Sequence, residues 1–423
     1  MGFKDIEVGR IPREWEVLEL INKVEITMGQ SPKSEYYNEN GKGIPFMQGR
    51  KTFGDKYHEI DTWCTDPKRL ANKGDVLMSV RAPVGDVNIA KMDLCIGRGL
   101  ASLRMKNGNN EYLYYLLKNY VDMITSRETG TVFASINKAG LETLRLPFPL
   151  DKEQKAIAHI LSTLDEKIET NNQINKTLEK MAQTIFKHWF VDFEFPNENG
   201  EPYKSSGGEM IESELGMIPK GWKVVEIDEL CEQIKPGTNY QPKRTEKGIP
   251  FLNVRNINKG YIDVTDVKYI LEDDYRKVHS SWIPEKNDVL ISRIGTLGLV
   301  SVIRERNLPL AVHYNFIDIK SNKVSHQYLY FMLKSDFFQQ QYHGIKKASV
   351  QEYVTIDEVK RLKMIIPSSF NDYLKLEEVF NCLFNKIDTA QEESSAIINL
   401  RDLLLPKLMS GEIRVPLEGV DIS

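Results

Sequence analysis

Cysteine is scarce in this chain, and long apolar runs are absent. Only four cysteines occur in 423 residues, and no two of them have the CxxC spacing of a zinc or redox motif. That pattern is typical of reduced thiols in the cytoplasm and gives no support to a disulfide framework. No apolar run approaches the ~20 residues that span a bilayer, and the N-terminus lacks the apolar core of a signal peptide. We therefore expect a cytoplasmic protein with no membrane contact and no metal site.

Common catalytic signatures are also lacking. The sequence has no GxxxxGK[ST] phosphate loop, no GxGxxG turn, no HExxH zinc motif and no GxSxG nucleophile elbow. The Asn/Asp-Pro-Pro-aromatic tetrapeptide of amino-methyltransferases is missing too. We therefore expect a non-catalytic chain that binds no cofactor itself. The enzymatic alternative is a self-contained methyltransferase or nuclease whose site has no familiar motif.

Net positive charge is a further feature that the chain lacks. Its 56 Lys and Arg residues are outnumbered by 60 Asp and Glu residues, which makes the formal net charge −4. A nucleic-acid binder needs positive charge only where it touches phosphate, so the positions of the basic residues matter more than their total. At 423 residues the chain is too long for one ordinary core, and we expect two or three domains.

What the sequence does contain is an internal duplication. Five segments recur in the same order, between 205 and 219 residues apart. This period is far too long for a solenoid, so it predicts two similar domains related by internal pseudo-two-fold symmetry. The matching pairs are Ile11–Val17 with Ile218–Val224, Lys42–Phe46 with Lys247–Phe251, Asp75–Ser79 with Asp288–Ser292, Tyr112–Tyr114 with Tyr328–Tyr330, and Leu164–Thr170 with Leu383–Thr389.

Each copy divides into a globular part and a long helix. Short apolar runs broken by glycine turns predict mixed strands and helices in the globular parts. Apolar residues at steps of three and four predict a helix of about 40 residues after each of them. The predicted class is α+β, with mixed α/β domains and two long helices. The predicted segments are a first globular domain at 1–150, a central long helix at 151–193, a polar and exposed connector at 194–216, a second globular domain at 217–368, and a C-terminal long helix and tail at 369–423.

A helix of this length with one apolar stripe needs a partner. Pseudo-two-fold symmetry would make the two helices each other's partner in an antiparallel coiled coil. The alternative is that each helix packs on its own globular domain. The stripe also passes through Met181 and Leu400. The residues predicted to form the helix pair or to dock another protein are Leu161, Leu164, Ile168, Ile174 and Leu178 in the first helix, and Leu383, Ile387, Ile397 and Leu404 in the second.

Basic and amide side chains are concentrated in equivalent loops of the two copies. Arginine can bond guanine in two places, asparagine or glutamine can do the same for adenine, and lysine can hold phosphate. The segments Phe46–Lys51 and Phe251–Asn256 keep similar apolar residues but differ in their polar residues. This pattern is typical of two domains that share a scaffold and recognise different base sequences. Ordinary solvated surface loops are the alternative. The candidates are Gln30, Ser31, Lys33, Gln48, Arg50 and Lys51 in the first copy and Asn239, Gln241, Lys243, Arg244, Asn253, Arg255 and Asn256 in the second, with Lys42, Lys56, Lys235, Lys247 and Lys259 beside them.

Three further pairs of loops supply additional candidates. In the first of these pairs, each copy carries an arginine at a predicted strand-to-loop turn. Plain loop structure is the alternative for all of them. The residues are Arg81, Arg98 and Thr131 in the first copy, and Arg293, Thr296, His313, Asn315, Lys346, Lys347 and Ser349 in the second.

Together, these segments resemble the specificity subunits of type I restriction–modification systems. The resemblance covers nearly the whole chain. The second copy departs from the pattern, because it lacks the Pro-x-x-x-Glu-Gln start of the helix and because Arg293 aligns with Val80 rather than with Arg81. The segments that carry the resemblance are Ile11-Pro12…Trp15, Ile218-Pro219…Trp222, Gly43–Phe46, Ser79–Gly85, Cys95–Gly99, Leu146–Pro149 with Glu153-Gln154, Trp189–Phe193, and Leu404–Ile413.

The resemblance implies two target-recognition domains, each reading one half of a bipartite site in double-stranded DNA. It implies an antiparallel helix pair that sets the unread spacer and docks two methyltransferase (modification) subunits, with restriction or translocase subunits as optional further partners. S-adenosylmethionine, ATP and Mg would belong to those partners. The alternative function is a protein–protein adaptor that never touches DNA.

Overall fold

The structure is a computed structural model. It describes residues 2–6, 9–126, 135–257, 261–264, 267–347, 352–367 and 370–416, with the backbone alone for 370–376. The chain divides into two compact units: residues 1–172 with 391–423 form unit 1, and residues 173–390 form unit 2. The boundaries fall inside the two long helices, Asp151–Phe186 and Phe370–Met409. Each unit therefore contains a globular part and a segment of both long helices.

Unit 1 is built on a four-stranded antiparallel sheet with the order Val87–Ile89, Val76–Ser79, Leu100–Met105 and Val24–Met28. The helix Asn110–Asn119 packs on this sheet and buries its segment from Tyr112 to Leu117. A second sheet has the order Tyr37–Asn38, Trp63–Cys64, Ile44–Met47, Leu94–Ile96 and Leu70–Ala71. The other elements are the strand pairs Phe3–Ile6 with Gly9–Pro12 and Glu16–Glu19 with Arg145–Phe148, the helices Leu20–Lys23, Val121–Thr125 and Lys138–Glu142, and the 3-10 turns Ser34–Tyr36 and Arg50–Thr52.

Unit 2 repeats this design. Its four-stranded sheet has the order Val300–Val302, Val289–Ser292, Phe316–Ser321 and Cys231–Pro236, and its second sheet has the order Lys268–Ile270, Ile249–Leu252 and Ala311–Val312. The other elements are the strand pairs Met210–Ser213 with Gly216–Pro219 and Lys223–Glu226 with Lys363–Ile366, the helices Ile227–Leu230, Glu272–Val278, His326–Lys334, Asp336–Gly344 and Ile356–Lys360, the 3-10 turns Val254–Ile257 and Glu305–Asn307, and a π-helical turn at Lys187–Val191.

The four-stranded sheets of the two units agree in strand order and direction, whereas the second sheet has five strands in unit 1 and three in unit 2. Each second sheet contains one parallel pair, with Phe46 opposite Cys95 in unit 1 and Phe251 opposite Ala311 in unit 2. The shared order of the four-stranded sheets and the shared parallel pair are what duplication of one domain produces. The predicted α+β class and the internal repeat are confirmed.

Within unit 1 the two long helices run antiparallel. The amide of Asn171 donates hydrogen bonds to Glu393 Oε2 at 2.9 Å and to Ser394 Oγ at 3.2 Å. Asp165 lies six residues before Asn171 on the first helix, and Arg401 lies seven residues after Ser394 on the second helix. Asp165 accepts a hydrogen bond from Arg401 Nη1 at 2.8 Å. The contacts advance in opposite directions along the two helices, so the predicted antiparallel pairing is confirmed here. None of the helices in the described part of the chain is long and apolar enough to cross a membrane.

The predicted apolar stripe describes the helix surfaces only in part. Met181 and Leu400 are 49% and 47% exposed, whereas Asn171 and Ser394, two polar residues predicted to lie on the stripe, are buried, and so is Asp165. The stripe is therefore wrong at Met181 and Leu400, because the buried line of an α-helix follows 3.6 residues per turn and takes in polar residues that pair across it. Of the predicted pairing residues, Leu161, Ile168 and Leu383 are buried, Leu164, Leu178, Ile387, Ile397 and Leu404 are half-buried, and Ile174 is exposed.

The predicted connector is shorter than the polar sequence at 194–216 indicates. Its last residues form the strand Met210–Ser213 of a hairpin that matches Phe3–Ile6 in unit 1. Nearer its start, the Phe195 ring stacks on Trp222 with 5.1 Å between the ring centroids. The second repeat therefore begins about seven residues before the predicted boundary at 217.

Buried acidic groups distinguish the two four-stranded sheets. In unit 1, Asp75 accepts hydrogen bonds from Ser102 Oγ at 2.7 Å and from Arg104 Nε at 2.6 Å. In unit 2 the equivalent of Ser102 is Asp318, so a second carboxylate lies near Asp288, and one oxygen of each is buried without a hydrogen bond among the described residues. Burial raises the pKa of Asp288 to about 6. Burial, together with the charge of Asp288, also raises the pKa of Asp318.

Removing one of these carboxylates is expected to stabilise unit 2. Raised pKa values mean that the folded state binds protons more tightly than the unfolded chain, so stability falls as pH rises from about 4 to about 6 and stays low above that. We expect Asp318→Asn to raise the free energy of unfolding at pH 7 by about 1–3 kcal/mol and to flatten this pH dependence. Urea unfolding between pH 4 and 8 measures both. The matched change Asp75→Asn should destabilise instead, because it breaks a charged pair with Arg104.

Candidate nucleic-acid interface

Three loops of unit 1 converge at one end of its two sheets. They follow the strands Val24–Met28 and Ile44–Met47, and the third joins Leu94–Ile96 to Leu100–Met105. Three backbone bonds hold them together: Gly29 N donates to Leu100 O at 2.9 Å, Gln30 N to Ile96 O at 3.0 Å, and Gly97 N to Met47 O at 2.8 Å. We call this arrangement the three-loop junction of unit 1.

Polar side chains from all three loops meet at this junction. Ser31 Oγ donates to Gln48 Oε1 at 2.9 Å and accepts from Arg98 N at 3.1 Å. The side chains of Gln30, Gln48 and Arg98 are exposed. Four candidates from three separate segments of the sequence, Gln30, Ser31, Gln48 and Arg98, thus lie at one junction.

Unit 2 has the same junction with the same three bonds. Gly237 N donates to Phe316 O at 3.0 Å, Thr238 N to Val312 O at 3.1 Å, and His313 N to Leu252 O at 3.2 Å. Gln241 Nε2 lies 3.5 Å from His313 Nε2. Asn239, Tyr240 and Gln241 are exposed, and Asn253 and His313 are half-buried.

One glycine in each unit makes this close approach possible. A Cβ added to Gly29 would lie 2.2 Å from Gly97 O, and one added to Gly237 would lie 2.1 Å from His313 O. Both neighbours are backbone oxygens, which cannot move aside as a flexible side chain can. Any other residue at these positions would push two of the three loops apart.

Ion pairs neutralise several of the predicted basic residues. Arg50 pairs with Asp86, Lys51 with Asp61 at 3.4 Å, and Lys33 with Glu35 at 3.6 Å. Lys56 is only 7% exposed and pairs with Glu111 at 2.8 Å, so it is removed from the phosphate-contact set. Arg81 and Arg98 are exposed and form no ion pair with the described residues, which leaves their positive charge available to a ligand.

The basic and imidazole groups of unit 2 are held differently. The Arg244 guanidinium lies 3.9 Å from the centroid of the Phe251 ring, and burial lowers its pKa. Burial, reinforced by the charge of Arg244, lowers the pKa of His313. The imidazole is therefore neutral near pH 7 and can accept one hydrogen bond and donate another. Lys243 and Arg255 are exposed.

Asn256 is a correction to the set of candidate contact residues. It is 3% exposed, its Oδ1 accepts from Asn253 N at 3.1 Å, and its Nδ2 donates to Asp263 O at 3.1 Å. The side chain shapes its own loop, because an asparagine amide can replace backbone partners in a turn. It is therefore not placed to bond a base edge.

The remaining candidates lie outside the junctions' central contacts. Arg293 is half-buried, its Nε donates to Val354 O at 3.1 Å, and burial lowers its pKa. Lys346 pairs with Glu352 at 2.7 Å and Lys347 with Glu358 at 3.2 Å. Thr296 is exposed, and the half-buried Asn315 donates its backbone N–H to His313 Nδ1 at 3.4 Å. Thr131, Ser349 and Lys259 lie outside the described residues.

Sequence reasoning missed residues that the junction brings to its centre. Thr238 and Tyr314 occupy the positions of Gln30 and Arg98, and the two glycines hold the loops. The signal was present, because Gly29 and Gly237 lie 208 residues apart, close to the 207 and 205 residues that separate the flanking repeats. Among the described residues no group of three or more His, Cys, Asp or Glu side chains could hold a metal ion.

Comparison with known proteins agrees with the repeated architecture. A family model for the type I restriction modification DNA specificity domain matches residues 12–180 and 219–392, one match for each copy. The chain is 28% identical to the type I restriction enzyme MjaIX specificity subunit of Methanocaldococcus jannaschii, covering 98% of this chain and 96% of that protein. It is 26% identical to the HindI specificity subunit of Haemophilus influenzae, covering 82% and 88%. Its fold is similar to the crystal structure of a type I restriction–modification system S subunit from M. genitalium, at 20% identity, with a TM-score of 0.56, covering 94% and 96%.

Proposed function

The chain belongs to the type I restriction modification DNA specificity family, and on that premise we propose that it is the sequence-specific DNA-recognition subunit of a type I restriction–modification complex. It is a non-catalytic reader of a bipartite site, with one half-site for each unit. Methyl transfer and cleavage belong to its partners. Such a complex works in the cytoplasm, where the host DNA lies.

One observation carries this proposal: both units build the same three-loop junction but present different polar groups on it. The matching backbone bonds of Gly29 and Gly237 preserve the frame. At the tips, Gln48 and Arg98 in unit 1 are replaced by Asn253 and Tyr314 in unit 2. A conserved scaffold with exchanged side chains at its surface supports two readers of different base sequences.

The chemistry of the tips suits direct readout in the major groove. Arg98 can donate two hydrogen bonds to a guanine edge, and Gln30 or Gln48 can bond an adenine edge in two places. In unit 2, Asn239 and Gln241 offer the same amide chemistry, and Lys243 can hold a phosphate oxygen. The chain's negative net charge is compatible with this, because phosphate responds to the local field of the exposed basic tips.

We expect Arg98→Ala to weaken recognition of a single half-site. Loss of one bidentate base contact costs about 1–3 kcal/mol, which is roughly a 10- to 100-fold loss of affinity. Competition binding with duplexes altered in one half or the other measures it. Arg145→Ala, which removes an exposed arginine outside the junction, serves as the control and should bind normally. Equal loss at both halves would contradict a separate reader in each unit.

The decisive experiment is selection of bound duplexes from a random DNA pool by the chain assembled with its modification subunits. A split motif is expected. Retention of DNA without any sequence preference, in a complex that assembles normally, would favour the protein–protein adaptor instead. Incubation of the chain alone with DNA and labelled S-adenosylmethionine should transfer no methyl group, and transfer would show that the chain is an enzyme.

Two modification subunits, and restriction or translocase subunits in a larger assembly, are the proposed partners. The exposed apolar side chains of Ile174, Met181 and Leu400 on the long helices are available for such contacts. S-adenosylmethionine, ATP and Mg would be bound by those partners. Mass measurement of the assembled complex determines the stoichiometry.

A further inference from the structure

The two units fill one equivalent position between their helices in opposite ways. In unit 1, the buried carboxylate of Asp165 accepts a hydrogen bond from the Tyr115 hydroxyl at 2.5 Å and pairs with Arg401 at 2.8 Å. The side chains of Asp165 and Arg401 are 5% and 13% exposed. Burial, together with the charge of Asp165, raises the pKa of Tyr115, so the phenol remains a donor.

The equivalent residues in unit 2 are apolar. The repeats align Tyr115 with Phe331 and Asp165 with Phe384, and the same offset of 219 along the uninterrupted helices aligns Arg401 with Ala182. The rings of Phe331 and Phe384 meet edge to face, with centroids 5.4 Å apart. Phe384 and the fully buried Ala182 belong to the same hydrophobic cluster. A large ring and a small residue of one hydrophobic cluster thus stand at the positions of the charged pair.

We propose that these two triads, Tyr115–Asp165–Arg401 and Phe331–Phe384–Ala182, determine which long helices pair. They favour pairing between the helix of one repeat and the helix of the other. They disfavour pairing between a helix and the same helix of a second copy of the chain. Between two copies of the first helix, an antiparallel pairing would set Asp165 against Ala182. Between two copies of the second helix, it would set Phe384 against Arg401. The first mispair buries the Asp165 carboxylate opposite an alanine. The second sets Arg401, left with its neighbour Asp402, against the Phe384 ring, where the Arg304 guanidinium already lies 4.5 Å from the ring centroid.

Both mispairs are unfavourable for the same physical reason. A charge taken out of water is tolerated only when an opposite charge and hydrogen bonds replace its hydration. The matched pairs meet this condition, one by a satisfied ion pair and the other by placing an apolar ring and an alanine between the helices, while the nearby Arg304 has its own partner in Asp388. Selectivity therefore arises from the penalty on the wrong pairs rather than from unusual strength of the right ones, as in coiled coils that specify their partners.

Single substitutions in the full-length chain reproduce each mispair. Arg401→Ala sets Asp165 against alanine, and Asp165→Phe sets phenylalanine against Arg401. The triple variant Tyr115→Phe/Asp165→Phe/Arg401→Ala gives unit 1 the residues of unit 2. We expect each single variant to raise the unfolding equilibrium constant by about 100-fold or more, and the triple variant to recover most of that loss. Urea unfolding measures these constants.

The reciprocal variants in unit 2 serve as a control, because they show whether the losses in unit 1 come from disturbed local packing alone. Ala182→Arg alone should destabilise, because it buries a guanidinium against the Phe384 ring, and Phe331→Tyr/Phe384→Asp/Ala182→Arg together should recover. Phe384→Asp alone is not used as a mispair, because Arg304 lies 4.5 Å from the centroid of that ring. A second readout follows exchange between copies: two differently tagged full-length chains are unfolded and refolded together. The wild-type chains should co-purify less than the unit 1 triple variant, in which like repeats also match. The proposal is disproved if the losses of stability caused by the single substitutions add up in both triple variants. It is also disproved if the wild-type chains and the unit 1 triple variant co-purify to the same extent.

Discussion

Alanine in place of Gly29 is expected to abolish reading of the half-site that unit 1 recognises, while unit 2 continues to read its own. The added Cβ would lie 2.2 Å from Gly97 O and 2.8 Å from Leu100 O, distances that real Cβ atoms essentially never show. The loop that carries Gln30 and Ser31 must then move away from the loop that carries Arg98. Losing two or more base contacts at about 1–3 kcal/mol each reduces affinity for that half-site by at least roughly 30-fold.

Binding to duplexes altered in one half measures this loss. Gly49→Ala is the matched control, because Gly49 lies in the same junction with an extended backbone, φ −171°, and an added Cβ would meet no atom within 4 Å. Gly237→Ala should produce the reciprocal result for the other half-site. If Gly29→Ala binds like Gly49→Ala, the junction is not the reading surface.

Loss of the Glu153 carboxylate is expected to cause a large fall in the stability of unit 1. Its side chain, 2% exposed, accepts hydrogen bonds from Trp15 Nε1 at 3.1 Å and from Arg414 Nε at 2.8 Å. Glu153→Ala leaves a buried indole N–H and a partly buried guanidinium without this partner. We expect the free energy of unfolding to fall by about 3–5 kcal/mol.

Urea unfolding of Glu153→Ala and of two control variants tests this expectation. Glu166→Ala removes an exposed carboxylate from the same helix and should change stability by less than about 0.5 kcal/mol. Glu153→Gln keeps an acceptor for Trp15 without the charge, so an intermediate loss is expected. A Glu153→Ala chain as stable as Glu166→Ala would mean that Arg414 contributes nothing to holding the C-terminal segment on unit 1.

Much of the architecture could be predicted because it depends on local sequence patterns and on the internal repeat. The Tyr112 and Tyr328 segments are helical, and the Asp75 and Asp288 segments begin the central strands, as their patterns indicate. Helix bounds were also close: the structure has Asp151–Phe186 where 151–193 was predicted. Each of these features depends on neighbours within about one or two turns or strand steps.

The candidate site was harder to predict because its contacts join distant residues. Arg50 is paired with Asp86, 36 residues away, and Lys56 with Glu111, so residues that look basic in sequence are partly neutralised. Asn256 looks like a surface amide, yet it is buried by a turn that closes on Asp263. The roles of the exposed tips in DNA recognition remain predictions.

By itself, the sequence determined that two related domains exist and that each is followed by a long helix. It also indicated a DNA-specificity family. Repeats and periodicity can be recognised in the sequence without knowledge of any tertiary contact. Only the tertiary structure decided which side chains meet. Strand pairing brings Gly29, Gln48 and Arg98 to one junction, and helix pairing sets Asp165 against Arg401. The physical reason is that a charge or an amide has no fixed role until the fold determines its hydration and its partner.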